Sequence, residues 1–416
     1  VILANTHIAL QGDSDGGGSG TNAMTVDDVI TLTGANGGIN AAAAMTIGAF
    51  ASTSANSILA ITGSGGLTIN DAVSLTSADQ LLITIAANSE VDILGAITLN
   101  NQPLTLTLIG AGALTLSGSS KITAGAIIAA TDGAGVLTLS GTVTQSAAIG
   151  ANAADLGTLN ASGAATTNAA VFSKIVNVSA NADFANDLNA NVINVTGTST
   201  TFKLGDKALK ASGTTSVLTL NATGQKVILD GTDIISTNIT AATDGHGTLE
   251  IDTAATVAGI IGTSATVKIG TVDVDAGGIL QNSVFADNIK IANSQTLSFT
   301  GAVADTVVTA AVDGDAARNG TIVIDSTAAQ ANAVRFLGAV GATNEIAVVT
   351  LTTDADFESS IKADAITVAS GKIGTFLGDM TMGAADLTST GTSLFSGTSG
   401  QTIVGDSATS ILDGAG

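Results

Sequence analysis

Short runs in which apolar and polar residues alternate recur along the chain. "LTLTLIG" (Leu104–Gly110), "ALTLSG" (Ala113–Gly118), "VLTLSG" (Val136–Gly141), "VLTLNA" (Val217–Ala222), "TLEID" (Thr248–Asp252), "ATVKIG" (Ala265–Gly270), "TVDVDAG" (Thr271–Gly277) and "TIVIDS" (Thr321–Ser326) all have this form. A period of two sends alternate side chains to opposite faces of a strand. β-Branched residues fill the runs, and Gly, Asn, Asp or Ser closes most of them, as short strands require. Two segments, Ala86–Leu94 and Asp354–Ile366, could hold helical turns, although strand–turn–strand is the simpler reading. With no amphipathic helices between strands, a βαβ architecture is excluded, which leaves a sandwich, a barrel or a β-helix.

Core chemistry narrows the choice. Of 416 residues 45% are hydrophobic, which argues against disorder. Yet aromatics are 2%, Trp and Tyr are absent, and Pro103 is the one proline. A thick interior usually recruits aromatic rings. A thin core of Val, Ile, Leu, Ala and Thr suits a narrow, repetitive stack. The expected fold is all-β, a right-handed parallel β-helix or β-solenoid, with several β-sandwich domains in series as the alternative. Three regions are expected: 1–120, a β region with no basic residue; 121–380, a repeat-bearing solenoid; and 381–416, an end coil.

Internal repeats support the solenoid. "AATDGAGVLTLSGTV" begins at Ala129, "AATDGHGTLEIDTAATV" at Ala241 and "AAVDGDAARNGTIVIDSTA" at Ala310. Aligned by letters, Asp132, Asp244 and Asp313 are equivalent, as are Gly133, Gly245 and Gly314. The position of His246 is then Ala134 in the first copy and Asp315 in the third. A corner that accepts all three needs its Asp-Gly turn and not an imidazole. Long, unevenly spaced units fit a β-helix that gains and loses coils better than they fit propeller blades.

The Ala/Thr/Gly/Asn-rich strands, the lack of Cys, and units of the form "AATDG.GTL.ID…IGT…KIGTV.VDAG" resemble the passenger regions of rickettsial and related alphaproteobacterial outer-membrane autotransporter surface antigens, including those that form surface layers. The resemblance spans roughly 100–370 best. It implies a parallel β-helix, export to the cell surface, and a coat or adhesion role. A C-terminal barrel of the autotransporter kind is not found, so a cleaved passenger or a free-standing secreted subunit is expected. A chain that opens at Val1 without an initiator Met or a leader is expected to be processed or excerpted.

Charge limits the partners. Lys plus Arg is 12 against 34 Asp plus Glu, a formal net charge of −22. Nucleic acid and anionic membranes are disfavoured partners, and cations are favoured ones. No apolar run approaches the length of a transmembrane helix. Without Cys there is no disulfide or thiol chemistry, which is compatible with an extracellular protein. His7 and His246 are the only imidazoles, and neither lies near a nucleophile elbow, so a catalytic triad is disfavoured. Enzymes that cut polysaccharides on a β-helix combine carboxylates with Arg, Lys and aromatic platforms. Here Arg318 and Arg335 are the only arginines, and the platforms are missing. Asp273 and Asp275 share one strand face, but a solvated face explains them more simply than a hydrolytic pair.

Calcium is the one expected ligand. "GDSDGGGSG" (Gly12–Gly20) opens with the spacing of a cation loop at Asp13 and Asp15, but its twelfth position is Met24, so a complete EF-hand loop is excluded. Asp230 and Asp233 in "LDGTD", and Asp313 and Asp315 in "VDGDAARNG", complete the candidate ligands. The expected function is a non-catalytic extracellular protein that self-associates into a bacterial surface layer or filament. An adhesin for a host receptor or glycan is the alternative, and a polysaccharide-processing enzyme ranks below both.

Overall fold

The computed structural model describes residues 2–3, 7–10, 24–32, 36–41, 45–52, 57–62, 66–71, 73–75, 81–95, 97–98, 104–117, 121–122, 125–205, 209–210, 216–232, 234–301, 306–326, 334–383, 387–397, 401–405 and 412–414. Among these residues every regular element is a strand, and every strand ladder is parallel. The fold is the expected β-solenoid. The two segments with helical potential are strand–turn–strand: Glu90–Ile93 lies in the first, and Ala355–Phe357 and the start of Ile361–Val368 lie in the second.

The chain divides into two compact units, Val1–Thr196 with Lys210–Ser216, and Gly197–Leu209 with Val217–Gly416. Strand Ala113–Leu116 pairs with Ala134–Leu139, so one ladder runs past residue 120.

Period-two alternation becomes two columns per sheet. In the first unit Ile47, Ile69, Ile93, Leu116, Leu139, Ala161, Val178 and Val195 stack in register, each at most 2% exposed. Their neighbours Thr46, Thr68, Asp92, Thr115, Thr138, Asn160, Asn177 and Asn194 stack on the outward face. In the last rungs the amides bond to one another. Asn177 Nδ2 donates to Asn160 Oδ1 at 2.9 Å and Asn194 Nδ2 to Asn177 Oδ1 at 3.0 Å. Coil length is not fixed: Leu137 pairs with Leu159, 22 residues on, but Leu159 pairs with Val176 after 17. The repeat drifts for that reason.

In the second unit the core is not purely aliphatic. Phe336, Phe357 and Phe376 occupy the same inward position on successive coils, and Phe395 continues the column as an exposed ring, with successive ring centroids 5.0, 5.3 and 5.5 Å apart. Phe299 meets Phe336 edge-on at 5.1 Å. The chain has 10 Phe, and parallel stacking lets these few rings build a continuous column without widening the core.

Candidate functional site

The second unit carries an acidic face. Strands Lys226–Leu229, His246–Ile251, Ile269–Val274, Ala286–Ile291 and Ala311–Gly314 are consecutive neighbours in one sheet. Their register places Ile228, Glu250, Asp273, Lys290 and Asp313 in a single outward column. Two residues further along, the backbone N–H groups of Asp230, Asp252, Asp275, Ala292 and Asp315 each bond to the preceding coil, which aligns these residues as a second column. Neighbouring rungs of a sheet are about 4.8 Å apart, so the carboxylates are stacked within Coulombic reach.

Electrostatics follow from that stack. Burial and the charges of Asp275, Asp315 and Glu250 push the Asp273 carboxyl above its ordinary range, and Lys290 pulls it back only in part. Burial and Glu250 do the same to Asp252, with Asp275 and Asp230 adding to it. Glu250 is 8% exposed and forms an ion pair with Lys226, whose ammonium is raised mainly by that bond. Carboxylate oxygens of Glu250, Asp273 and Asp275 lie within 4.8 Å of one another. Calcium takes six to eight oxygens, so these three groups supply part of a shell that water or Asp252 would complete.

Three corners show where the other polar side chains go. In the first, Asp132 Oδ1 accepts from the Asp155 N–H at 3.0 Å, and the Gly133 N–H donates to the Asp155 carbonyl at 2.8 Å. In the second, Asp244 Oδ1 accepts from the Lys268 N–H at 2.9 Å, and Gly245 N–H donates to the Lys268 carbonyl at 3.0 Å. In the third it is the Arg318 N–H that donates to Glu345, at 2.7 Å. The hydrogen bonds therefore align Arg318 with Gly133 and Gly245, and Asn319 with Ala134 and His246. Arg318 even adopts the left-handed backbone that the two glycines use, at φ 63°. Matching by letters puts Asp313, Gly314 and Asp315 in these places, four residues out of register. Their true counterparts are Thr240, Ala241 and Ala242 in the second copy, since Gly262 N–H bonds Ile239 as Gly341 N–H bonds Val312.

Ala134, His246 and Asn319 thus share one position, and the corner fixes no residue type there. His246 Nδ1 lies 3.1 Å from the Asn221 carbonyl of the preceding coil, a coil-to-coil bond. Of the expected calcium ligands, Asp230 forms an ion pair with Lys203. Asp313 Oδ1 accepts from the backbone N–H groups of Thr343 and Asn344, at 2.9 and 3.1 Å. Asp313 and Asp315 flank a surface depression with Lys290. Asp13, Asp15 and Asp233 lie outside the described residues. Glu250 and Asp252 are not among the ligands expected from sequence. Their signal is an acidic i, i+2 pair in "TLEID", one coil before the pair in "TVDVDAG".

Comparison with known proteins gives no match: no family model fits the sequence, and no curated protein or solved structure is similar to it. Among the described residues no helix is long and apolar enough to cross a membrane.

Proposed function

We propose that this chain is a non-catalytic structural protein that self-associates into an extended layer or filament on a bacterial surface. One observation carries the reading. Groups that could do chemistry at the corners are used instead to fasten coil to coil: Asp132, Asp244, Asp155, Lys268, Arg318 and His246 each bond to the next or the preceding coil. Parallel stacking adds a supporting argument, because strand edges of a solenoid are templates for further strands. The composition and the resemblance to autotransporter surface antigens favour an extracellular location. Calcium bound at Glu250, Asp273 and Asp275 would relieve like-charge repulsion on the acidic face and couple assembly to the ion.

Negative-stain imaging of the purified protein tests the reading. Ordered polymers support it. Isolated particles at all concentrations, with and without calcium, favour instead an adhesin that acts as single molecules.

A further inference from the structure

The third corner departs from the other two in its side chains and in its loop length. Where it carries Asp313 and Asp315, the second copy has Thr240 and Ala242 and the first has Ile128 and Ala130. The loop that follows is also shorter. Three residues separate Gly341 from Glu345, against four between Gly150 and Asp155 and five between Gly262 and Lys268. The same coil geometry therefore folds without either carboxylate and with a longer loop. At this point an open depression of about 260 Å³ forms, bordered by Asn288, Lys290, Asp313, Asp315, Thr343 and Asn344. Departures from a repeat that gather on one face of a solenoid are where such proteins place binding surfaces.

The side chains around it are held but not used up. Asn344 Nδ2 donates to the Gly314 carbonyl at 2.9 Å and to the Asp315 carbonyl at 3.2 Å. Those bonds and the two backbone N–H groups on Asp313 Oδ1 make the rim rigid. The side chains of Asn288, Lys290, Thr343 and Asp315 make no hydrogen bond or ion pair with any described residue. The depression thus presents two carboxylates that accept, an ammonium that donates, and an amide and a hydroxyl that do both.

That inventory selects a ligand class. An anion would meet Asp313 and Asp315. A metal ion would meet the Lys290 ammonium. A hydrocarbon would find few apolar walls. A compact ligand whose every polar group both donates and accepts satisfies the whole set. We propose that this depression binds one unit of a neutral saccharide through its hydroxyl groups, as a site separate from assembly.

The full-length protein would be titrated with a panel of neutral hexoses, N-acetylhexosamines and their short oligomers, followed by ligand-observed NMR. Glycine, CaCl2 and inorganic phosphate serve as zwitterion, cation and anion probes. The expected result is saturable binding of at least one saccharide, reduced at least tenfold by Asn288→Ala and by Asp315→Asn. Both residues are on the surface, and melting temperatures no lower than wild type would show that the variants fold. No binding by any saccharide overturns the proposal. So does binding that neither variant weakens, or binding only by glycine, calcium or phosphate. Because the assay is separate from imaging, variants that polymerise normally yet lose the saccharide keep this outcome distinct from the failure of the assembly reading.

Discussion

Lys174 Nζ lies 2.9 Å from a carboxylate oxygen of Asp155, and Asp155 is 4% exposed. The same ammonium reaches Asp132, also at 2.9 Å. In the second corner the equivalent pair is Lys268 and Asp287, with the charges exchanged. In the third, Arg318 sits 3.4 Å from Glu345 and 3.7 Å from Asp364. Each corner stacks three charged residues on successive coils, two acidic and one basic, and the base stands last, middle or first. The three charges stay together while their order is free, although Arg318 stands at the position of Gly133 and Gly245 and not at that of Asp132 and Asp244.

Lys174→Met should therefore leave Asp155 buried and uncompensated, at a cost of about 1–3 kcal/mol in urea unfolding. Exchanging the pair, Asp155→Lys with Lys174→Asp, should recover most of that loss, because the second corner already runs in that order. A double variant no more stable than Lys174→Met would show that the order of charge is fixed after all.

Glycine variants separate backbone need from side-chain need. Gly262 has φ +76°, and a Cβ there would run into the Phe285 carbonyl. Gly371 has φ +74°, and a Cβ there would meet nothing within 4 Å. Gly371→Ala should cost about 1–2 kcal/mol, the strain of a left-handed L-residue alone. Gly262→Ala should cost clearly more, since backbone must move as well. His246→Ala should stay within about 1 kcal/mol, one hydrogen bond. Thermal unfolding of the three variants gives the order, and a His246→Ala variant that loses function while folded would overturn the scaffold account of that corner.

Alternation in strands such as Leu104–Leu108 and Val217–Leu220 is enough to reveal the class of fold, because a period of two has one structural meaning in so long a series. Register is not legible in the same way. "AAVDG" matches "AATDG" letter for letter at four positions, yet its Asp313 falls on a strand and not at the turn. Turn preference is local, whereas the true alignment is set by which N–H meets which carbonyl one coil away. The Glu250–Asp273–Asp275 cluster is hidden for the same reason: Glu250 and Asp273 are 23 residues apart in sequence and adjacent only once their strands pair. The phenylalanine column is hidden too, because rings at Phe336, Phe357 and Phe376 look scattered until coil lengths are known.

Stability should rise on mild acidification. Asp252 and Asp273 have carboxyls raised above the ordinary Asp value of 3.8, so the folded state binds protons first as pH falls. Folding then gains as pH drops from neutrality towards their raised range, and the gain is complete below the unfolded value. Asp132 opposes this lower down. Its carboxyl is lowered, chiefly by the Lys174 hydrogen bond, so its contribution is present above 3.8 and lost beneath it. The melting temperature should pass through a maximum on the acid side of neutrality. Asp273→Asn should add about 0.2–1 kcal/mol at pH 7, the size of a cross-strand like-charge contact, and flatten the rise. A Tm that falls steadily from pH 7 would contradict this.

Millimolar calcium should raise the melting temperature at neutral pH by binding the folded acidic face, and EDTA should reverse it. The effect should fall sharply in Glu250→Gln/Asp275→Asn if those groups are ligands. A potassium chloride control at matched ionic strength distinguishes binding from screening, since screening alone would act equally with either salt. Equal shifts in both salts would remove the ion from the account of this face.

The N-terminal strands bear on assembly. Ile2–Leu3 pairs with Thr31 and Leu32, and His7–Leu10 pairs with the stretch from Gly38 to Ala41, both in parallel. No described strand pairs with the other edge of His7–Leu10. That edge carries a row of backbone donors and acceptors, and an edge of this kind is satisfied by water or by another strand. If a second copy supplies a strand to His7–Leu10, deleting residues 1–12 removes that strand's partner and changes the joint. The truncated protein should then form polymers of altered subunit spacing, or none, while its circular dichroism remains that of a parallel β protein. Truncated polymers with the wild-type repeat distance would show that this edge is not the joint, and contacts between the sides of neighbouring solenoids would have to hold the layer together.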